Sequence, residues 1–270
     1  MKPPHKILLL HIKKLKGYIS LVTFETKEEI IHELRVEFKK TRALLRLADG
    51  DNNKLKVPKV LKEFYTAAGR VRELQLQQQL IKDCCGEDNL PAYFKILSAQ
   101  LLFATSVLKE KAREEGLDKS LLLIKKNFPY KITAKTVKTF ISQKAKDLLT
   151  ALAIKNKKDN DIHGARKIIK DLMYTFNNLR ILQMQSVIHL SAEDEKKIHT
   201  LGAELGIFQD QCNALALLRL SMFRNLPANE KEILKATRAG WMAAKIELRK
   251  TIIQKLIAAK PIFEVLSAKQ

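Results

Sequence analysis

Glycine and proline interrupt this chain at so few points that the stretches between them can only be long helices. Nine glycines and seven prolines serve 270 residues. A sandwich or barrel would need a turn signal every ~10 residues and many β-branched strands. The first stretch, 26–48, opens on a T-x-x-E capping box, Thr26 and Glu29, and stops at the Asp49-Gly50-Asp51-Asn52-Asn53 cluster. Pro58 lies in the first turn of a second helix that runs to about Lys82, with Cys85-Gly86 behind it. Pro91 opens a third, to about Glu115, and a loop follows through Asn127-Phe128-Pro129. Thr133 caps a fourth, to about Ile154, and Asn156 to Asn160 form a polar break. Asp161 starts a fifth, to about Gln185. Ser191 and Asp194 cap a sixth, which Gly202 and Gly206 interrupt before it continues towards Met222. Pro227 precedes a last long helix, about 229–258, with Pro261 beyond it. The expected fold class is all-α, with four long helices, a break near 155–160, and three or four more.

Charge narrows the function. Lys and Arg number 50 against 29 acids, a formal +21. The excess is spread evenly: residues 1–150 hold 30 basic and 17 acidic side chains, the remainder 20 and 12. Self-repulsion on this scale opposes compaction, and a polyanionic partner relieves it. Nucleic acid, an anionic membrane surface and polyphosphate are the candidates. Three cysteines, Cys84, Cys85 and Cys212, make neither a disulfide framework nor a C-x-x-C metal site, which fits a reducing cytoplasm. The four-residue apolar run Ile7 to Leu10 is too short for a signal peptide, and the sequence is expected to hold no membrane span.

One pattern occurs twice. Ile31-His32-Glu33-Leu34-Arg35-Val36-Glu37-Phe38-Lys39 and Ile162-His163-Gly164-Ala165-Arg166-Lys167-Ile168-Ile169-Lys170 share I-H-x-x-R-x-x-x-K. Each is followed by a G-x-x-[RQ]-[ED] signature, Gly69-Arg70-Val71-Arg72-Glu73 in one half and Gly206-Ile207-Phe208-Gln209-Asp210 in the other. The order His then Gly holds in both, at spacings of 37 and 43 residues. Two signatures repeated in one order point to duplication of a helical unit, about 25–155 and about 160–260.

The first copy builds a basic face. His32, Arg35, Lys39, Arg42 and Arg46 step by three and four residues, so they share one side of a helix over ~21 Å. A solvated face mixes in acids, whereas Glu33 and Glu37 fall off this stripe. The second copy is thinner: His163, Arg166 and Lys170 hold, Lys167 stands beside them, and Met173 replaces the next cation. The last helix adds Arg238, Lys245 and Arg249 on one face. Such forks and point charges grip phosphates.

The run Ile31 to Ala48 closely resembles the signature helix of CHAD domains, the conserved histidine α-helical domain family, with His32, Leu34, Arg35, Val36, Lys39, Lys40 and Arg42 in matching places. The segment from His163, with Arg166, Lys167, Lys170 and Tyr174, resembles the family's second motif, and the two glycine-plus-acid signatures resemble its others. The resemblance spans about 25–260. It implies a single domain over 1–270, built as two four-helix bundles related by a pseudo-two-fold axis. It also implies a basic channel that binds inorganic polyphosphate, and an association with polyphosphate granules. The expected contacts are His32, Arg35, Lys39, Lys40, Arg42, Arg46, Arg72, His163, Arg166, Lys167, Lys170, Arg238, Lys245 and Arg249.

No catalysis, cofactor or metal is expected. The chain lacks a G-x-x-x-x-G-K-[ST] loop and a credible carboxylate cluster. A nucleic-acid-binding helical protein is the rival reading, although aromatic side chains are few and do not interleave with the basic stripe.

Overall fold

The computed structural model describes residues 4–50, 55–155, 157–188, 190–219 and 223–268. Asp51 to Asn53, Asn156 and Met222, used above as signals, lie outside them. The described residues hold ten α-helices and no strand: α1 (Pro4–Phe24), α2 (Glu28–Asp49), α3 (Lys59–Cys85), α4 (Pro91–Ala112), α5 (Gly116–Asn127), α6 (Ala134–Ala153), α7 (Asp159–Leu182), α8 (Ala192–Leu217), α9 (Ala228–Ala258) and α10 (Lys260–Ser267).

Local chemistry sets several boundaries. Thr133 Oγ1 accepts the Thr136 N–H at 3.1 Å and Ser191 Oγ accepts the Asp194 N–H at 3.0 Å, both as read from the sequence. Gly50 and Gly86 close α2 and α3 at positive φ, 54° and 74°, which their lack of a Cβ permits. Lys157 folds back over the end of α6, donating to the Leu152 and Ile154 carbonyls at 2.9 and 2.6 Å.

Other expectations fail for physical reasons. Lys27, not Thr26, precedes α2, with no side-chain cap; the Thr26 carbonyl instead accepts from Gln75 on α3. Residues 116–127, expected as loop, form α5, because Leu117, Leu121 and Ile124 give it one buried apolar face. Gly202 and Gly206 leave α8 unbroken, since its packed neighbours outweigh two weak helix formers. α4 is long and apolar enough, on length and composition, to cross a membrane, where the sequence reading expected no such stretch. It packs on α3 and α1.

α1 packs on α2, α2 on α3, α3 on α4 and α4 on α1, which closes a four-helix ring. A second ring runs α6, α7, α8, α9, with α10 bridging α9 back to α6. The spatial division therefore falls between α4 and α6, not at the polar break near 155–160, and the first ring begins at α1, before the expected boundary at 25. α1 is easily passed over because its lysines interrupt the apolar pattern, yet Ile7, Leu8, Ile12, Leu15 and Val22 are all buried. The rings meet with α2 against α7 and α3 against α8. Second facing second and third facing third is what a two-fold axis through the seam produces. The apolar side chains of both rings merge into one continuous core, from Ile7 to Leu266.

Two buried acids tie this frame. Glu37 of α2 meets His11 of α1 at 2.5 Å. Glu230, at the start of α9 and 1% exposed, accepts the Ala92 and Tyr93 N–H groups at 3.0 and 2.9 Å. It thus caps α4 from the other half of the chain, where the helix dipole favours a negative charge. Glu230→Ala strands two buried donors. It should lower unfolding free energy by about 2–3 kcal/mol in urea denaturation, and a loss near zero would show that the cap is dispensable.

Candidate anion-binding seam

The α2–α7 contact brings two rows of cations face to face. From α2 come Arg35, Lys39 and Arg42; from α7 come Arg166 and Lys170. Lys39 lies within electrostatic reach of Arg35, Arg166 and Lys170. Tyr65 of α3 backs the α2 row: the Arg35 guanidinium stands 4.6 Å over its ring and Arg42 5.9 Å from it, while Phe38 stacks beneath at 4.4 Å. Arg35 also donates to the Tyr65 carbonyl at 3.2 Å. Tyr174 of α7 approaches the same place, close to Tyr65, Arg166 and Arg42.

Gly69 explains how Arg35 fits. A Cβ there would lie 2.6 Å from Arg35 Nη1, so the first glycine signature leaves room for the guanidinium. In the second half that duty falls on Gly202, where a Cβ would collide with Met173 Sδ; Gly206 has open space around it. Met173 therefore packs down onto α8, whereas its counterpart Arg42 reaches into the seam.

Among the described residues none of Arg35, Lys39, Arg42, Arg166 or Lys170 forms an ion pair, while acids elsewhere pair freely. Arg166 Nε is buried without a hydrogen-bond partner. Burial, reinforced by Arg35, Arg166 and Lys170, pushes the Lys39 ammonium down to about 8, and Asp210 restores only part of that loss. Burial and Arg166 likewise lower Lys170. Asp210 of α8 is the acid that faces this group. Partial desolvation raises its carboxyl above the usual range against the pull of Arg166, Lys39, Arg72 and Lys170, even though the residue is exposed.

The other expected contacts lie elsewhere. Arg46 crosses the seam but is bound by Asp171. Lys40 turns to Glu37 at 3.9 Å. His32 is exposed in an open pocket of about 280 Å³ among Glu28, Glu29, Glu33 and Arg72, and Arg72 pairs with Glu28. His163 bonds through Nδ1 to Gln209; burial, with Lys167 and Arg166 nearby, lowers its pKa, and the bond to Gln209 offsets part of that. Lys167 is exposed at the edge. Lys245 and Arg249 turn to Asp159 and the Lys157 carbonyl at the start of α7, closing the second ring. Thr237, beside Arg238, touches Cys85 at the far end of α3, remote from Tyr65. The sequence reading missed Tyr65, Asp171 and Asp210 as site residues. Asp210 stood in a noted signature, but Tyr65 carries no local signal.

A family profile described as CHAD domain matches residues 6–219. The chain belongs to the CHAD family. Its fold is similar to the crystal structure of the CHAD domain from the plant Ricinus communis, with a TM-score of 0.70 and 15% identity over 95% of this chain and 89% of that one. Comparison with curated proteins gives no match. Among the described residues of this CHAD domain, no three His, Cys, Asp or Glu side chains stand close enough to hold a metal ion.

Lys39 gives a pH signature. Its folded value, about 8, lies below the ordinary 10.5. Between the two the unfolded chain binds more protons, so stability should rise with pH across that window. Lys170 acts in the same direction. Urea denaturation at steps from pH 7.5 to 10.5 should show this rise in the wild type and a smaller one in Lys39→Met, which should also be the more stable protein at pH 7.5. Identical profiles would mean that Lys39 is solvated as freely as a surface lysine.

Proposed function

We propose that this CHAD domain binds inorganic polyphosphate in the α2–α7 seam and acts by binding rather than by turnover. The observation that carries the reading is the set of five cations, Arg35, Lys39, Arg42, Arg166 and Lys170, drawn from two helices and, among the described residues, forming no ion pair. Concentrated, partly desolvated positive charge is unfavourable in the free protein and is neutralised by a dense anion. Polyphosphate supplies closely spaced charge on a flexible backbone that can enter a seam between bundles. Duplex DNA presents its phosphates on a wide rigid cylinder. The aromatic rings here lie under guanidiniums rather than open to bases. A cytoplasmic place on polyphosphate granules follows from the same reading.

Calorimetric titration with long-chain polyphosphate at two salt concentrations tests this. Tight binding that weakens steeply with salt is expected, because phosphate contacts release counterions. Changing Lys39, Arg166 and Lys170 together to Ala should cost more than tenfold in affinity and reduce the log–log salt slope by about 2. Duplex DNA should not displace the ligand, and incubation with Mg²⁺ should release no phosphate. Displacement by DNA would assign the seam to nucleic acid, and phosphate release would make the protein an enzyme.

A further inference from the structure

α1 is apolar on two sides. One side, Ile7, Leu8, Ile12, Leu15 and Val22, is buried in the first ring. On the other, Leu10, Lys14, Gly17, Leu21 and Phe24 step by four and three residues, so they form one stripe along the helix, and all five are exposed. A helix that only seals a bundle turns polar residues to water. The core accounts for the first side of α1 and not for the second.

α4 has the same excess. Tyr93, Phe94, Leu97, Ala104 and Leu108 are buried, yet Leu102 and Phe103 are 73% and 71% exposed. The two outer faces join. Leu102 and Lys109 are two helical turns apart on α4 and share a side, ~10 Å from one another along the axis. Lys109 Nζ donates to the Phe24 carbonyl at 2.9 Å, at the end of α1, and the Phe24 ring is 78% exposed. Leu21, Phe24, Leu102 and Phe103 thus rise from one surface. It lies at the back of the first ring. α2 and α3 meet the second ring, whereas α4 reaches it only through the Glu230 cap in its first turn.

Cations border this apolar surface. Lys6 and Lys13 are exposed beside the Lys14 stripe, and among the described residues none of these three forms an ion pair. Lys16 and Lys27 are held by Asp118 and Glu25, each at 2.7 Å.

An occupant of this face has to receive protruding rings and supply negative charge. A second copy of the chain brings its own +21 and is repelled. A phosphate backbone supplies charge but nowhere to bury a phenyl ring. An anionic bilayer supplies both: headgroups for the ammoniums and an acyl boundary for the rings, with lysine stems lying along the apolar surface between. Side chains that stand this far out of the protein suit a fluid layer, which closes around each of them.

We propose that the α1–α4 face docks this CHAD domain on an anionic lipid surface. Phe24, Leu102 and Phe103 enter the boundary between headgroups and acyl chains, and Lys6, Lys13 and Lys14 meet the headgroups. The domain lies on the membrane and does not cross it, since α4 keeps its inner side in the ring. The inference is independent of what fills the seam, which stays open to solution on the other side of the ring.

Cosedimentation with vesicles tests it. The wild type should partition onto phosphatidylcholine vesicles containing about one-third phosphatidylserine at least about tenfold better than onto phosphatidylcholine alone. Phe24→Ser with Phe103→Ser should lower that partitioning by more than about tenfold, with circular dichroism and long-chain polyphosphate binding unchanged. Phe103→Trp should add a blue-shifted emission on the anionic vesicles, above the signal of Trp241. Absence of wild-type binding to the anionic vesicles overturns the proposal. Equal binding by the double-serine variant also overturns it, because basic charge alone would then hold the protein. A wild-type dimer that the double-serine variant dissolves in sedimentation velocity, with no vesicle binding, would assign the face to a second copy instead. In each of these cases polyphosphate binding in the seam is untouched.

Discussion

Holding like charges together is the constraint on which the rest of this structure depends. Arg35, Lys39, Arg166 and Lys170 repel one another across the α2–α7 contact, and burial deepens the cost, as the lowered Lys39 and Lys170 ammoniums show. The seam persists because the two rings are braced around it. The rings share one apolar core. Arg46 and Asp171 clamp one end of the contact. Glu230 caps α4 from α9, so the chain's last long helix closes on the first ring as well as the second. Stability is a small difference between large terms, so these braces determine whether a charged seam is tolerable at all.

The backing of the cations is as specific as their charge. Arg35 lies on Gly69, stacks on Tyr65 and donates to the Tyr65 carbonyl. A guanidinium held by its flat face and one edge keeps its other donors free and has little conformational freedom left to lose. The seam is thus preorganised by apolar and aromatic contacts rather than by acids. Acids would hold the same side chains but would also consume their charge.

Much of this was legible in the sequence. Scarce glycine and proline, with capping residues at Thr133 and Ser191, foretold an all-helical chain. The spacing of Arg35, Lys39 and Arg42 placed them on one face, and the repeated I-H-x-x-R-x-x-x-K pattern picked out Arg166 and Lys170 as their partners. What escaped notice depends on tertiary choices. α1 hides its apolar face among lysines. Lys245 and Arg249 share a face as expected, but that face meets Asp159, and periodicity cannot say which neighbour a stripe will find. Tyr65 lies on another helix from the arginines it supports, with nothing in its own surroundings to mark it.

One substitution between the two signatures accounts for much of the asymmetry. Arg72 and Gln209 occupy the same place in G-x-x-[RQ]-[ED]. Gln209 can accept from an imidazole, so His163 is drawn in against α8, and Gln209 passes a further hydrogen bond to Asn213 at 2.8 Å. Arg72 can only donate. It pairs with Glu28 and leaves His32 outside among glutamates. The following acid diverges in step: Glu73 leans on Arg70, whereas Asp210 is left facing the seam. Two near-equivalent motifs thereby give an asymmetric seam, with aromatic-backed arginines on the α2 side and the Asp210 carboxylate on the α8 side.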